Sequence, residues 1–304
     1  MDIIAIIKAI ILGLVEGMTE FAPVSSTGHM IIVDDMWLKT EQLFASRYVA
    51  NTFKVVVQLG SILAVLVVFK DRFIDLLGLS RFRGQGKQAD GIGLGGNAEV
   101  AVREGNGGVG AIANRGPRLK LAQVIVGLIP AGILGVLLED VIDEYLFSTA
   151  TVLIGLVVGA LLMIAADRFG PKQPKIETVD QITYKQAFAV GLFQCFSIWP
   201  GFSRSGSTIS GGVLLGLSHR AAADFTFIMA VPIMAGASML SLLKNWQYFT
   251  LDALPFFIAG FISAFVFALL SIRFFLKLIN RIKLVPFAVY RILLAAVIGV
   301  LYFW

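Results

Sequence analysis

The chain has 304 residues, of which 57% are hydrophobic and only 15% are charged, and its mean hydropathy is +0.84. Soluble proteins carry roughly a quarter of charged residues, so this composition excludes an ordinary soluble protein and predicts an integral membrane protein. The formal net charge is +5. In a membrane protein such a surplus of Lys and Arg marks the cytoplasmic loops, and we expect no nucleic-acid partner. The single cysteine, Cys195, excludes an intramolecular disulfide bond and a cysteine-based metal site.

Six apolar segments each approach the roughly 20 residues that an α-helix needs to cross the hydrocarbon of a bilayer. They lie at about residues 53–69, 121–138, 149–166, 223–243, 253–272 and 284–303. Two further apolar segments, residues 3–15 and 187–199, are shorter and run into turns that contain Pro and Gly. Such segments are tolerated at membrane depth when they are buried in protein or line a wet cavity. We predict an all-α integral membrane protein with six transmembrane helices and two re-entrant helix-loop-helix pairs, in a single domain over residues 1–304.

The distribution of Lys and Arg predicts the orientation of the chain. Residues 70–120 are richer in Lys and Arg than in Asp and Glu, whereas the turn at residues 139–144 is acidic and has no basic residue. Because cytoplasmic loops carry the basic excess, we place the first loop in the cytoplasm and the second outside. Within the first loop, the Gly-rich residues 81–117 lack the Lys-Ser/Thr of a phosphate-binding loop, and we predict a flexible cytoplasmic loop there.

The second half of the chain repeats the first. Residues 13–16 align with residues 191–194 and, without a gap, residues 25–28 align with residues 203–206. The two copies cover approximately residues 1–170 and 171–304. Each copy has one re-entrant pair followed by three spans, and an odd number of spans turns the second copy upside down. In inverted repeats of this kind, broken helices bring their positively polarised N-termini together near the bilayer midplane, and we predict the functional site there, opening to the outer face.

The first re-entrant pair gathers polar side chains in an otherwise apolar protein. Glu16 and Glu20 lie four residues apart near the end of a predicted helix, and therefore on one face. Two carboxylates at this spacing can share a divalent cation, Mg²⁺ or Ca²⁺, which would neutralise phosphate charge. After Pro23, the hydroxyl-rich residues 25–27 can cap a second short helix, whose start attracts anions. Polar groups are costly in hydrocarbon, so their concentration here predicts function.

Ser26, or alternatively Ser25, can serve as a nucleophile in this segment. His29 follows within about one helical turn and can act as general base or acid, and Glu20 can orient His29 or shuttle its proton. The predicted catalytic residues are Glu16, Glu20, Ser26 and His29, and the predicted substrate-binding residues are Ser25 and Thr27.

The second re-entrant pair lacks the carboxylates and supplies Arg204 instead. An arginine at membrane depth is costly and is usually paired or functional, and its planar guanidinium suits phosphate oxygens. Flanked by Ser203, Ser205 and Gly206 at a predicted helix start, Arg204 is expected to clamp an oxyanion or a phosphoryl group. The alternative is that Arg204 only pairs with one of the two glutamates to neutralise buried charge.

Three polar residues of the predicted spans have weaker claims to function. Gln58 either lines the cavity as a substrate-binding residue or makes a hydrogen bond between helices. Tyr290 and Arg291, in the last span, are expected to brace the helix bundle.

These residues resemble those of the bacterial undecaprenyl-diphosphate phosphatase family, which is linked to bacitracin resistance. The resemblance spans nearly the whole chain. Its motifs are Glu16-Gly-Met-Thr-Glu20-Phe-Ala-Pro-Val-Ser-Ser-Thr-Gly-His29, Gln58-Leu-Gly-Ser-Ile-Leu63 and Pro200-Gly-Phe-Ser-Arg-Ser-Gly206. The resemblance implies hydrolysis of undecaprenyl diphosphate to undecaprenyl monophosphate and phosphate at the outer face of the bacterial plasma (inner) membrane, which recycles the lipid carrier for cell-wall synthesis. It also implies a divalent cation and five functional positions. These are Glu16, Glu20, Ser26, His29 and Arg204.

Several alternatives stay open at the level of sequence. Ser26 can attack the terminal phosphorus to give a phosphoseryl intermediate, or Glu20 or His29 can activate water directly. A lipid transporter or flippase would also fit an inverted repeat with an anion site at the midplane. The prenyl-chain preference, the native cation, assembly as a homodimer and the role of residues 81–117, which are longer than the loop usual in the family, are open as well.

Overall fold

The computed structural model describes residues 3–39, 47–79, 118–138, 142, 145, 146, 148–246 and 253–303. Over these residues the chain is helical and has no β-strand, apart from one isolated bridge between Ile176 and Leu217. The predicted all-α fold is therefore confirmed. The predicted flexible loop at residues 81–117 lies outside the described residues, as does most of the acidic turn at residues 139–144.

The helices of the described residues follow the order of the predicted segments. They are α1 (Ile3–Thr19), α2 (Ser26–Ile31), α3 (Arg47–Val68), α4 (Lys70–Leu76), α5 (Leu121–Leu137), α6 (Thr149–Phe169), α7 (Tyr184–Cys195), α8 (Arg204–Leu214), α9 (His219–Asn245), α10 (Leu254–Ile282) and α11 (Val285–Phe303). A π-helical segment at Ile32–Leu38 extends α2, and 3-10 turns lie at Val179–Gln181 and Phe196–Ile198.

Within the described residues, four helices are long and apolar enough to cross a membrane: α6, α9, α10 and α11. A fifth span results if α3 and α4, which are bent by 81° relative to each other, are counted as one. Helix α5 is also apolar but has only 17 residues. These lengths and compositions are those of an integral membrane protein.

Several helices extend beyond the apolar segments that predict them. Helix α10 continues from the predicted end at residue 272 to Ile282 and includes Arg273 and Lys277, while α9 begins at His219 rather than at residue 223. Hydropathy marks only the part of a helix that can lie in hydrocarbon. Arg and Lys have high helix propensity and long apolar stems, so they carry the helix on towards water.

The two short apolar segments each form a helix that breaks at a turn and is followed by a second helix. Ser25 and Ser203 stand directly before α2 and α8, with φ of 73° and 75°. Each hydroxyl oxygen accepts the backbone N–H three residues later, from Gly28 at 3.3 Å and from Gly206 at 3.1 Å. The expected serine cap of α2 is present. Left-handed backbone is unfavourable for serine, so surrounding contacts must hold both turns in place.

Each broken helix packs closely against an apolar helix from the other half of the chain. Helix α1 crosses α10 where Gly13 faces Gly260, and a Cβ atom at Gly13 would lie 2.8 Å from the Cβ atom of Ser263. Helix α7 crosses α5 where Gly191 faces Gly127, and a Cβ atom at Gly191 would lie 3.0 Å from the carbonyl carbon of Gly127. Only glycine permits these approaches, which fix the broken helices at a set depth in the bundle.

Phe21 anchors the turn between α1 and α2 in the core. Its fully buried ring meets the ring of Phe227 edge-on, with ring centroids 5.3 Å apart. Phe227 in turn contacts Phe69 at 6.2 Å and Phe275 at 5.8 Å between centroids. Because Phe21 directly follows Glu20, this aromatic cluster fixes the backbone that carries the Glu20 carboxylate.

Candidate active site

The two helix-breaking turns meet through the side chain of Glu20. The hydroxyl of Ser26 donates a hydrogen bond to Oε2 of Glu20, and Nη2 of Arg204 donates to Oε1 at 2.8 Å. The side chains of Glu20 and Arg204 are only 7% and 14% exposed. The structure therefore brings the predicted nucleophile, a carboxylate and the predicted anion clamp into one buried chain of hydrogen bonds, although they are up to 184 residues apart in sequence.

Arg204 is held in place by more than its ion pair. Its Nη1 lies 3.4 Å from the carbonyl oxygen of Thr226, and its Nη2 lies 3.3 Å from Sδ of Met234. Both of these partners belong to α9. A guanidinium that is fixed on one side by protein oxygens can present its remaining N–H groups to an anion without first being ordered.

A cavity of about 220 Å³ opens beside this chain of hydrogen bonds. It is lined by Glu20, Ser25, Ser26, Thr27, Gln58, Ser197, Trp199, Pro200, Gly201, Ser203, Arg204, Ile233, Met234 and Ala237. Four of the predicted substrate-binding residues, Ser25, Thr27, Gln58 and Ser203, are thus on the cavity wall. The position of Gln58 on this wall favours its interpretation as a cavity-lining residue over that of a hydrogen bond between helices.

Ser205 and Gly206, which the sequence also predicts to bind substrate, have other partners. The hydroxyl of Ser205 donates to the carbonyl oxygen of Ala22 at 3.0 Å, and this bond ties the second turn to the first. The N–H of Gly206 donates to Ser203 as part of the helix cap. Their polar groups are used to build the site, and neither residue is on the cavity wall.

His29 does not contact Ser26 or Glu20 in the way that the sequence predicts. Its Nδ1 lies 2.8 Å from the carbonyl oxygen of Ser25, and its Nε2 lies 2.7 Å from the hydroxyl of Tyr290. A carbonyl oxygen can only accept, so Nδ1 carries a proton and, in the neutral ring, Nε2 accepts from Tyr290. The prediction placed His29 by sequence distance alone, whereas its partner Tyr290 comes from the last helix.

Glu16 lies one helical turn before Glu20 and is 5% exposed. Its carboxyl group lies near that of Glu20 and near the guanidinium of Arg204. Two carboxylates beside one guanidinium leave one excess negative charge in a buried place, which a cation or a proton can neutralise. Among the residues that the structure describes, no group of three His, Cys, Asp or Glu side chains could hold a metal ion. Glu16 and Glu20 together supply two carboxylates, which suit Mg²⁺ when the phosphate groups of a substrate provide further oxygen ligands.

Comparison with known proteins places this site in a family. The family described as "Bacitracin resistance protein BacA" matches residues 9–297, and this match includes every residue of the site. The chain belongs to the BacA family. Its relatives include a protein from Geobacillus sp. (strain WCH70) that is 74% identical over 303 residues, 100% of both chains, and one from Bacillus subtilis (strain 168) that is 59% identical over 290 residues, 95% of both chains. Both relatives are named "Undecaprenyl-diphosphatase".

Arg291 is the residue of this BacA-family site whose contacts the sequence could not predict. It is fully buried, and its Nη2 donates to the carbonyl oxygens of Gly201 and Phe202, both at 2.9 Å, and of Gly155 at 3.1 Å. The expected role in bracing the bundle is confirmed. Two of these carbonyls, those of Gly201 and Phe202, belong to the turn directly before Ser203, so Arg291 also fixes the start of α8 and with it the position of Arg204.

Replacing Arg291 with Lys is expected to lower both thermal stability and activity. The lysine side chain is one atom shorter than that of arginine, so its ammonium nitrogen falls short of the position of Nη2, around which the three carbonyl oxygens are arranged. Each buried acceptor left unpaired costs about 1–3 kcal/mol. Thermal melting of the purified protein and its rate of phosphate release measure the two effects. The matched control is Arg281→Lys, because Arg281 is exposed near the end of α10. Equal melting temperatures for the two variants would contradict the role given to Arg291.

Proposed function

We propose that this chain is an undecaprenyl-diphosphatase, which hydrolyses undecaprenyl diphosphate to undecaprenyl monophosphate and inorganic phosphate. The observation that carries this proposal is the hydrogen-bonded series Ser26–Glu20–Arg204 on the wall of a cavity. Such a site can bind and attack a phosphoryl group. A relative that is 74% identical over the full chain is named for this activity. The reaction recycles the lipid carrier for cell-wall synthesis and confers bacitracin resistance.

The geometry favours attack by Ser26 on the terminal phosphorus. Glu20 accepts the proton of the Ser26 hydroxyl while the oxygen forms a bond to phosphorus, and the bond from that phosphorus to the bridging oxygen breaks. Undecaprenyl monophosphate leaves, and water then cleaves the phosphoserine to release phosphate and restore Ser26. Arg204 supplies fixed positive charge to the phosphoryl oxygens in both steps. Direct attack by water that Glu20 deprotonates is the second version.

His29 acts in this proposal by positioning the nucleophile. Its hydrogen bond to the carbonyl of Ser25 holds the residue that begins the turn into α2, and Ser26 is the first residue of that helix. The bond from Tyr290 fixes the ring from the other side. A divalent cation held by Glu16, Glu20 and the substrate would neutralise phosphate charge when it is bound. The other partners of the chain are the diphosphate lipid and the surrounding membrane lipid.

The proposed arrangement in the membrane has six spanning helices and two re-entrant pairs, arranged as an inverted repeat of residues 1–170 and 171–304. Two equivalences support it. Ser25 and Ser203 share an unusual backbone conformation and the same cap, and the glycine crossing of α1 with α10 has its counterpart in the crossing of α7 with α5. With the basic loops inside, the site of this plasma-membrane protein faces the outer, periplasmic side.

Phosphate release by the purified protein tests the proposal directly. In detergent with Mg²⁺, the protein is expected to release inorganic phosphate from undecaprenyl diphosphate, and chelation by EDTA is expected to slow the reaction until Mg²⁺ or Ca²⁺ is restored. A lipid transporter, the rival function, would show no turnover in detergent, where no second compartment exists. A folded, monodisperse preparation that releases no phosphate would therefore contradict the proposed function.

A further inference from the structure

A second cavity, of about 680 Å³, adjoins the active-site cavity. The two share Ser197, Ile233 and Ala237 as lining residues, so the second cavity begins where the first one ends. Its wall is mostly apolar, whereas the wall of the active-site cavity is polar and apolar in equal parts. The volume is in the range that is typical of small-molecule binding pockets.

This cavity is a groove between α5 and α9. Residues 131–136 of α5 form one wall, and residues 233–244 of α9 form the other. The eleven helical steps from Ile233 to Lys244 span roughly 16 Å, which is the length of the groove along α9. Helix residues at the groove, such as Val136 and Leu240, are exposed in the protein alone, so the groove is open along its side to whatever surrounds the bundle.

We propose that this α5–α9 groove binds the isoprene units next to the diphosphate of the substrate. The proposal rests on the proposed function. The groove is continuous with the active-site cavity, because the two share lining residues. The substrate has one apolar chain attached to its diphosphate. If Arg204 holds that diphosphate, the groove is where the chain can leave the cavity. The groove then acts as the specificity-determining part of the site, since burial of the chain stabilises the bound lipid but not a tailless diphosphate.

Gly236 offers a way to fill the groove without disturbing the protein. A Cβ atom at Gly236 would meet no other atom within 4 Å, and Phe is favoured over Gly in a helix. The side chain of Gly236→Phe would therefore occupy the groove. Gly132 on α5 has the same open surroundings, and Gly132→Phe is a second variant from the opposite wall.

The matched control is Ala296→Phe. Ala296 lines a different apolar depression, between α6 and α11, which does not border the active site. The same aromatic side chain is thus added to an apolar surface of the same kind at a distance from the substrate. Gel filtration and thermal melting verify that all three variants are folded.

Two kinetic constants separate tail binding from headgroup binding. Farnesyl diphosphate, with three isoprene units, is the substrate, and isopentenyl diphosphate, with one unit, is the competitive inhibitor. Gly236→Phe is expected to raise the ratio of the KM for farnesyl diphosphate to the Ki of isopentenyl diphosphate by about tenfold or more, the usual effect of an obstructed apolar pocket. Gly132→Phe should raise this ratio in the same direction, and Ala296→Phe should give the ratio of the unaltered protein.

The possible results of these measurements test the inference about the groove separately from the proposed function. If the unaltered protein hydrolyses farnesyl diphosphate but both groove variants keep its ratio of KM to Ki, the groove does not hold the tail and the inference is wrong. An equal rise for Ala296→Phe would point to a general effect of aromatic side chains on lipid access and would also overturn it. Absence of phosphate release from undecaprenyl diphosphate by the unaltered protein would instead contradict the proposed function itself, and failure to hydrolyse farnesyl diphosphate alone would overturn the inference that the groove binds the first isoprene units.

Discussion

Replacing Glu20 with Gln is expected to lower kcat for phosphate release by about 10²- to 10⁴-fold, the range for loss of a general base. Glutamine has nearly the same shape but cannot accept the proton of Ser26. It also replaces one of two hydrogen-bonded oxygens with an NH₂ group, which would face either Ser26 or Arg204 as a second donor. The hydrogen bonds from Ser26 and from Arg204 both end on this one carboxylate, so the substitution disturbs the nucleophile and the anion clamp together.

The control for this variant is Glu177→Gln, which removes an exposed carboxylate outside the apolar helices. It is expected to retain the kcat of the unaltered protein. A folded Glu20→Gln protein with the same kcat would contradict the proposed role of Glu20.

The double variant of Glu20→Gln with Ser26→Ala distinguishes the two versions of the reaction. If Glu20 serves Ser26, the two residues act as a unit, and the double variant should lose little more activity than the worse single variant. If Glu20 activates water on its own, Ser26→Ala should retain much of the activity and the two losses should multiply. The structure favours the first result, because the hydroxyl of Ser26 already donates to Glu20.

The sequence predicts much of this site because its signals are local. Glu16 and Glu20 are expected on one helix face from their spacing, and the hydroxyl-rich residues 25–27 are expected to cap the short helix that follows them. The repeat then relates Ser25 to Ser203 and thereby brings Arg204 towards Ser26 before any coordinates are considered. The observed ion pair between Arg204 and Glu20 agrees with both the functional and the charge-neutralising interpretation of Arg204, which only measurements of binding can separate.

The parts that sequence cannot predict are contacts between distant helices. His29 bonds to Tyr290, 261 residues away, and nothing in the spacing of residues 26–29 indicates this partner. Arg291 can be recognised as a costly residue in an apolar segment, but the carbonyl groups that it holds follow from how α11 packs beside the turn at Gly201. Helix ends are missed for a different reason, since hydropathy marks the part of a helix in hydrocarbon and not the helix itself.

Replacing Arg204 with Lys is expected to lower kcat/KM by about 10²- to 10³-fold, the usual loss when a fixed donor to a developing oxyanion is removed. Lysine keeps the charge and can still pair with Glu20, so the buried carboxylate is not left without a counter-ion. It cannot hold Glu20 and two phosphoryl oxygens at once, because its three N–H groups radiate from one atom rather than along a planar fork. The variant thus separates charge neutralisation from anion binding.

Inhibition by inorganic pyrophosphate provides the decisive measurement for Arg204. If Arg204 grips the diphosphate, Arg204→Lys should raise the Ki of pyrophosphate about tenfold or more, in line with the loss of one charge-assisted hydrogen bond, while the melting temperature changes little. Arg281→Lys, the same exchange at an exposed position, should alter neither quantity. An unchanged Ki in a folded Arg204→Lys protein would mean that Arg204 only neutralises Glu20, and the phosphoryl group would then have to be bound by the hydroxyl groups and helix N-termini of the two turns.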